Sequence, residues 1–306
     1  YCGFSVTKTF TALAILQLAE KGKLALEDHA NNYMNFPYSE PITIKQLLSH
    51  SAGVPNPLPL RWVHSPEEYL TFDRKQYFAD IFQKNKRLNS APNDMYKYSN
   101  LGYVLLGQII EQVSGLSYEE YIRVNIIEPL GMAPGDLGFQ IRDHRQHAKG
   151  YQKIGTFMNF LLGFLMDKQK YVNQKEGRWY SFRDTVLNGP SHGGLVGKPS
   201  SLMRYIQELL KDDCVLITDD FKRLLFTENK TNSGKKTAMC LSWFKGDLNG
   251  NSYFCHAGGG AGYYCEIRIY PERGVGSVIM LNRSGMTDER VLSRLDKFYF
   301  ENGSQD

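Results

Sequence analysis

The sequence predicts an α/β protein of the α+β type: an antiparallel sheet flanked by helices, with an inserted all-helical lobe. Three observations predict it: a strongly apolar helix near the beginning, a helical middle, and a tail of short strand-like runs. Helices followed by hairpin-connected strands are typical of helices that cover an antiparallel sheet. With 306 residues, the chain is long enough for one large domain or two modest ones.

The first helix is predicted from Ser5 to Glu20, and apolar residues lie on nearly all of its faces. Gly22 suits the position just after its end, because glycine readily adopts the left-handed backbone that closes many helices. A helix that is apolar all round belongs inside a fold. We therefore expect this helix to run through the core.

The middle of the chain carries further helical patterns and a proline-rich loop. Helices are predicted at residues 43–48, Glu67 to Lys84 and Asn100 to Val113, and at a segment that Ser117 opens with a capping box to Glu120. Three prolines exclude regular structure from Ser51 to Pro59. Residues 133–195 are predicted to be irregular, with a few short helices.

The last third of the chain predicts strands between two helices. An amphipathic helix follows Pro199, and a final helix is expected from Thr287 to Phe300. Between them, Ser252–His256, Tyr263–Tyr270 and Val275–Leu281 are rich in aromatic and β-branched residues and are separated by glycine-containing turns. We therefore divide the chain into an α/β domain, residues 1–54 and 196–306, and a helical lobe, residues 55–195.

Composition excludes several classes of protein. Hydrophobic residues make up 42% and charged residues 22%, as in folded globular proteins. The 36 basic residues exceed the 32 acidic ones by only four, without a dense basic run, so no nucleic-acid partner is expected. The longest strongly apolar stretch, Phe157 to Met166, is too short to cross a bilayer. We expect this stretch to border a substrate cleft or a membrane surface, or to form ordinary core of the lobe.

Five cysteines in a long chain, none in a C-x-x-C pair, argue against a disulfide scaffold and a thiolate zinc site. Cys255 and Cys265 flank a glycine-rich turn, so they form either one bridge or two unbridged core residues. The cysteine pattern therefore does not distinguish a reducing from an oxidising compartment. The chain begins at Tyr1 without a signal-peptide pattern.

Ser5 and Lys8 bear the first candidate chemistry. Three residues apart on a helix, their side chains share a face, about 5–6 Å apart at Cβ. A serine becomes nucleophilic when a neighbour takes its proton, and a desolvated lysine with a lowered pKa can do so. The alternative is an ordinary helix-capping serine beside a solvated lysine.

Two further motifs also have both a functional and a purely structural interpretation when each is taken alone. Tyr98-Ser99-Asn100 precedes an apolar helix and offers a phenol as base and an amide to orient Lys8 or a substrate. His256-Ala257-Gly258 ends a strand at a glycine-rich turn, where a substrate could approach the backbone closely. A capped turn and a plain hairpin would explain the same residues.

Taken together, the three motifs resemble those of the class C β-lactamase family, which also holds penicillin-binding proteins, esterases and D-amino-acid peptidases. The resemblance covers nearly the whole chain. It extends over Thr9–Ala12, Leu47–Gly53, Tyr98–Tyr103, Pro129–Met132, Gly193–Leu195 and His256–Tyr263.

The resemblance implies a β-lactamase/transpeptidase-like fold and roles for particular residues. Ser5 would be the acylated nucleophile, Lys8 its proton partner and Tyr98 the general base. The backbone N–H groups of Ser5 and Gly259 would form the oxyanion hole. Asn100 and the segment from His256 through Gly258 would contact the substrate.

Two departures from the family pattern bear on fold and substrate. Only four residues precede Ser5, where the family has strands, so these N-terminal strands are missing from the expected sheet. His256 stands where β-lactamases carry a lysine, and Ala257 lacks the usual hydroxyl. Both changes weaken the attraction for a substrate carboxylate, because an ordinary histidine is mostly neutral at pH 7.

The sequence therefore predicts a serine hydrolase without metal or cofactor that acts on a small ester, amide or peptide, most simply as an esterase. A D,D-carboxypeptidase, a D-aminopeptidase, a β-lactamase and a non-catalytic penicillin-binding or scaffold protein remain alternatives. The resemblance favours an exported, periplasmic or membrane-associated protein. Direct membrane contact is not favoured, and the oligomeric state stays open.

Rival motifs fit less well. Ser51 lies in a near match to a nucleophile elbow, but Ser49 replaces its first glycine and a helix precedes it. His144 and His147 lie near Asp143, and surface-loop residues explain them better than metal ligands.

Overall fold

The computed structural model describes residues 1–59, 62–155, 168–284 and 291–302. Within these ranges, the α-helices are α1 (Thr7–Glu20), α2 (Ile44–Leu48), α3 (Arg74–Lys84), α4 (Asn100–Ser114), α5 (Tyr118–Ile122), α6 (Lys168–Tyr171), α7 (Pro190–Gly193), α8 (Pro199–Leu210), α9 (Asp219–Leu225) and α10 (Val291–Asn302). Shorter turns of 3-10 helix lie at Phe4–Val6, Ala30–Asn32, Pro66–Glu68 and Pro271–Arg273, and a π-helical turn at Arg123–Ile127 follows α5.

The strands of the described residues form one larger sheet and three small ones. They are β1 (Val63–His64), β2 (Leu137–Gly138), β3 (Tyr151–Lys153), β4 (Val172–Glu176), β5 (Trp179–Phe182), β6 (Val186–Leu187), β7 (Val196–Gly197), β8 (Phe244–Leu248), β9 (Asn251–Gly260), β10 (Tyr263–Tyr270) and β11 (Val275–Leu281). The larger sheet is antiparallel, in the order β11-β10-β9-β8, and the small sheets pair β1 with β6, β2 with β7, and β3 and β4 with β5.

Helices cover both faces of the larger sheet. Every residue of β10 is buried. On one face α8 packs so closely that a methyl group on Gly276 would lie 2.7 Å from Ile206 Cδ1. On the other face the buried Arg268 donates to Ser293 Oγ of α10 and pairs with Glu266 at 2.7 Å. The predicted fold class, an antiparallel sheet flanked by helices, is confirmed.

Helix α1 runs through the core, as its composition predicts. All of its residues from Thr7 to Leu18 are buried, and Phe10 stacks on Tyr205 of α8 with ring centroids 4.0 Å apart. Gly22 closes the segment with a φ of +65°. Because α1 is fixed on all sides, the turn that precedes it holds Ser5 on a rigid support.

The inserted segment is not all-helical, which corrects the prediction for residues 55–195. It contains the three-stranded sheet of β3, β5 and β4 and the short strands β1, β2 and β6. These strands are two to five residues long, too short for a clear alternation of apolar and polar side chains. The proposed domain boundaries stay a prediction.

The register of the sheet excludes a bridge between Cys255 and Cys265. Cys255 lies opposite Arg268, and Cys265 lies opposite Gly258, so the two cysteines do not face each other across the hairpin. Within the described part of the chain, β11 has β10 as its one neighbour, and no strand of this sheet precedes α1.

The apolar stretch Phe157–Met166, predicted to border a cleft or a membrane surface or to form core, lies outside the described residues. Across the residues that are described, none of the helices combines the length and apolar character needed to cross a bilayer.

Candidate active site

Ser5 lies in the 3-10 turn before α1, close against strand β9. The preceding Phe4 has a φ of +44°, a left-handed conformation that residues other than glycine seldom adopt. A methyl group on Gly258 of β9 would lie 2.4 Å from Gly3 O and 2.6 Å from Ser5 N. Only a glycine at 258 lets the strand come this near, so the sheet and the turn together place the serine.

Lys8 is completely buried, and its Nζ has three polar neighbours. Asn100 Oδ1 lies 2.8 Å away, the His192 carbonyl oxygen 2.5 Å away and Ser5 Oγ 3.1 Å away. Burial lowers the pKa of the Lys8 amine well below its usual value. A neutral amine donates its two hydrogens to the two carbonyl-type oxygens, which can only accept. Its lone pair then faces the Ser5 hydroxyl.

Tyr98 reaches the same serine from the other side. Its hydroxyl donates to Ser5 Oγ over 2.8 Å. Burial raises the pKa of the Tyr98 phenol, so the protonated form prevails. The serine therefore accepts a hydrogen bond from the phenol, and a neutral Lys8 amine can accept the serine's own proton over the 3.1 Å between Ser5 Oγ and Lys8 Nζ.

Asn100 holds Lys8 from the first turn of helix α4. Ser99 caps this helix, with Oγ accepting from Gly102 N at 3.0 Å. The Asn100 backbone N–H donates to Asn56 Oδ1 at 3.0 Å. The Ser99 cap and the bond to Asn56 therefore fix the Asn100 amide beside the buried amine.

Gly259 follows Gly258 on β9 and is exposed. A methyl group on Gly259 would meet its nearest atom, Tyr263 O, at 3.5 Å, which is ordinary contact. The close packing therefore requires a glycine at position 258 but leaves room for a side chain at position 259.

His256 is buried on β9 and stays neutral. Its Nδ1 lies 2.8 Å from the Ala257 carbonyl oxygen. Because a carbonyl only accepts, Nδ1 carries the hydrogen. Burial and the nearby Lys8 lower the pKa of the His256 imidazole to about 3. At neutral pH this residue offers no positive charge to a substrate carboxylate.

The structure brings Lys8, Tyr98 and Gly258 to Ser5, and Asn100 to Lys8. Two further contributions were not predicted. The His192 carbonyl is a backbone group, for which no sequence signal exists. His50 packs under Tyr98, with ring centroids 4.3 Å apart. The match over Leu47–Gly53 was the signal that could have found it.

The rival residues lie in ordinary surroundings. Ser51 is buried and shares a hydrogen bond with Ser49 Oγ at 2.9 Å. His144 pairs with Asp184 at 2.5 Å, and Tyr263 Oη lies 2.9 Å from His147 Nε2. In the described ranges, no group of three or more His, Cys, Asp or Glu side chains is arranged to hold a metal ion.

Comparison with known families and sequences gives a match along almost the whole chain. A family model described as Beta-lactamase matches residues 1–299. A penicillin-binding protein of Bacillus subtilis (strain 168) is 30% identical over 269 residues, which cover 85% of this chain and 55% of that protein. The chain therefore spans about half the length of this curated relative.

Solved structures show the same fold. The octameric penicillin-binding protein homologue from Pyrococcus abyssi superposes with a TM-score of 0.76 and 27% identity, over 98% of this chain and 66% of that one. The D-amino acid amidase from Ochrobactrum anthropi SV3 superposes with a TM-score of 0.72 over 99% of this chain and 86% of that one. At 17% identity, the second likeness is one of fold.

Proposed function

Because the chain belongs to the Beta-lactamase family, we propose that it is a serine hydrolase that forms an acyl-enzyme on Ser5. One observation carries the proposal: Ser5 Oγ lies 3.1 Å from the buried Lys8 Nζ and 2.8 Å from Tyr98 Oη. A hydroxyl between an amine and a phenol can lose its proton to one and receive a hydrogen bond from the other.

In the first step, Ser5 Oγ attacks the substrate carbonyl carbon and its proton passes to the Lys8 amine. Burial lowers the pKa of Lys8 and raises the pKa of Tyr98, so it favours the neutral amine and the neutral phenol. Lys8 is therefore a better proton acceptor than Tyr98, to which the family resemblance gave the role of base. Tyr98 protonates the leaving group instead, and the Lys8 ammonium restores the proton to the phenol.

The tetrahedral intermediate needs donors for its oxyanion. We assign this role to the backbone N–H groups of Ser5 and Gly259, since β9 runs against the serine turn at Gly258. Collapse of the intermediate breaks the bond to the alcohol or amine and leaves the acyl group on Ser5. Water then attacks the acyl ester and its proton passes to Lys8. The carboxylic acid leaves as the Lys8 ammonium returns that proton to Ser5 Oγ, which restores the serine and the neutral amine.

The neutral His256 favours substrates without a carboxylate beside the scissile bond. Simple esters are the first candidate class, and penicillins and cephalosporins should be poor substrates. Amides of D-amino acids are the second class, because the same acyl transfer cleaves amides and the fold is shared with a D-amino acid amidase. A non-catalytic role fits less well, because a scaffold has no need to hold Ser5, Lys8 and Tyr98 within hydrogen-bonding distance.

The test is a substrate panel with a covalent probe. We expect the wild type to hydrolyse short-chain nitrophenyl esters and to be labelled by a fluorophosphonate, with the adduct mapped to Ser5. Ser5→Ala should lose the adduct and nearly all turnover, because no other atom occupies the place of Oγ. D-amino-acid amides and a chromogenic cephalosporin complete the panel and rank the substrate classes.

Ser51→Ala is the matched control, since Ser51 is buried and bonded to Ser49 rather than to Lys8. It should keep both adduct and turnover. An adduct on Ser51, or an undiminished Ser5→Ala protein, would contradict the proposal. Efficient cephalosporin hydrolysis with negligible esterase activity would favour a β-lactamase instead.

A further inference from the structure

His50 is a buried histidine with no role in the proposed reaction, and its backbone conformation is unusual. It follows helix α2 with a φ of +53°, in the left-handed region that favours glycine. Only 2% of the residue is exposed. A strained conformation of this kind persists where surrounding contacts impose it, and it often marks a functional position.

The contacts that impose it hold the chain on both sides of Tyr98. The His50 carbonyl oxygen accepts from Lys97 N at 2.7 Å. The ring Nδ1 accepts from Ser99 N at 3.1 Å. Because Nδ1 accepts, the ring is neutral, which agrees with a His50 pKa lowered well below its usual value by burial. The two residues that flank Tyr98 are therefore both bonded to His50.

The imidazole also supports the phenol ring. It lies between two tyrosines, with its centroid 4.3 Å from that of Tyr98 and 4.9 Å from that of Tyr103. Tyr103 belongs to α4, and its hydroxyl donates to Leu48 O at 2.8 Å. The support under Tyr98 is thus anchored to two helices.

We propose that His50 is a positioning residue that holds the Tyr98 hydroxyl in place for proton transfer at Ser5. The role rests on the proposed acyl-enzyme function. In the resting protein, the hydrogen bond to Ser5 Oγ also fixes the phenol. Once Ser5 is acylated, its oxygen is an ester oxygen without a proton and a weaker acceptor. The phenol then depends on other contacts, and His50 supplies them through both flanking amides and the ring face.

Two variants separate these contacts. His50→Asn removes the ring but keeps a side-chain acceptor, and asparagine tolerates a positive φ. His50→Phe keeps a ring and removes the acceptor. We expect either change to lower kcat for p-nitrophenyl acetate by about 10-fold while KM stays within about threefold, because a small misplacement of a catalytic group costs rate rather than binding. If one variant does not fold, the other carries the test.

Coupling to Tyr98 is the decisive measurement. Tyr98→Phe should lower the acyl-transfer rate by roughly 10²–10⁴. In the Tyr98→Phe background, each His50 change should lower kcat by less than about twofold, since there is no hydroxyl left to position. His64→Phe is the matched control: His64 is also buried and stacked on an aromatic ring, that of Phe72. It should leave kcat unchanged and show no coupling.

The outcomes separate this role from the proposed function. Equal losses with and without the Tyr98 hydroxyl would show that His50 is merely structural, and so would an effect confined to KM. Absence of both ester turnover and fluorophosphonate labelling in the wild type would overturn the proposed function, and the role of His50 with it.

Discussion

Desolvation favours the neutral form of three side chains at the candidate site. Lys8 and His256 are buried, and Tyr98 is half-buried. Desolvation lowers the pKa of the Lys8 amine and the His256 imidazole and raises that of the Tyr98 phenol. In each case the neutral form is favoured. A neutral amine can take the serine proton, and a neutral phenol can give one up. A neutral imidazole cannot attract a carboxylate.

The attraction of this site for a substrate carboxylate should therefore stay weak at any ordinary pH. Because the His256 pKa is about 3, acidification from about pH 8 to about pH 5 does not charge the ring. We expect the Kd of a carboxylate-bearing cephalosporin for the Ser5→Ala protein to change by less than about threefold over this range. Equilibrium binding to the inactive protein measures this without turnover.

His256→Lys is the matching variant, since it supplies the cation that histidine lacks. It should tighten cephalosporin binding by about a kcal/mol or two, provided that the new charge is partly desolvated. A tenfold gain in affinity of the histidine protein at about pH 5 would show that His256 is protonated there, contrary to its burial.

At the scale of elements, strand β9 and the 3-10 turn Phe4–Val6 place Ser5 together. Neither element would place it without the other. The turn holds Ser5, the proposed nucleophile, directly after Phe4 in its left-handed conformation. The strand supplies a glycine where any side chain would collide with the backbone at Gly3 and Ser5. Contact between these two elements decides whether the oxyanion donors and the serine face one substrate.

Gly258→Ala should therefore push the strand away from the turn. The added methyl group would lie 2.6 Å from Ser5 N, so backbone must move. We expect the ester turnover to fall by roughly 100-fold, since displacement of reacting groups by about 1 Å costs this much. Initial rates with p-nitrophenyl acetate and the melting temperature of each variant are the measurements.

Gly138→Ala is the control, because nothing lies within 4 Å of its added methyl group and its φ is not positive. It should keep wild-type turnover. Full activity of Gly258→Ala would mean that the strand yields easily and that the close approach has no part in catalysis.

At the scale of the whole molecule, several histidines are buried in their neutral form. His50, His192 and His256 are each less than 5% exposed, and burial lowers the pKa of each. The unfolded chain binds protons at these residues below about pH 6.5, whereas the folded chain does not. Their contribution to stability is therefore complete above this pH and declines as the pH falls.

We expect the free energy of unfolding to fall below about pH 6.5 by up to about 1.4 kcal/mol per pH unit for each of the three histidines. Guanidinium unfolding at a series of pH values measures it. His192→Phe retains a ring against Trp62, whose centroid lies 5.3 Å from that of the imidazole. This variant should lower the slope of unfolding free energy against pH by the contribution of one histidine. A stability that is flat from about pH 7 to about pH 5 would contradict this reading.

The sequence by itself determined the elements whose signals are local. The apolar composition of α1, the Ser117 cap of α5 and the strand residues of β9, β10 and β11 all predicted what the structure shows. Ser5 and Lys8 were recognisable because a spacing of three residues places both side chains on one face. Local spacing and capping act within a few residues, so one chain segment contains all the information they need.

The tertiary structure alone decided what depends on distant parts of the chain. The hydrogen bond from Tyr98 to Ser5 spans 93 positions, and that from Lys8 to the His192 carbonyl spans 184. The register that separates Cys255 from Cys265, and the strands in the inserted segment, likewise arise from long-range pairing. The lowered pKa values of Lys8 and His256 follow from burial. Burial is a property of the packed whole, because a side chain loses its water only when remote segments close around it.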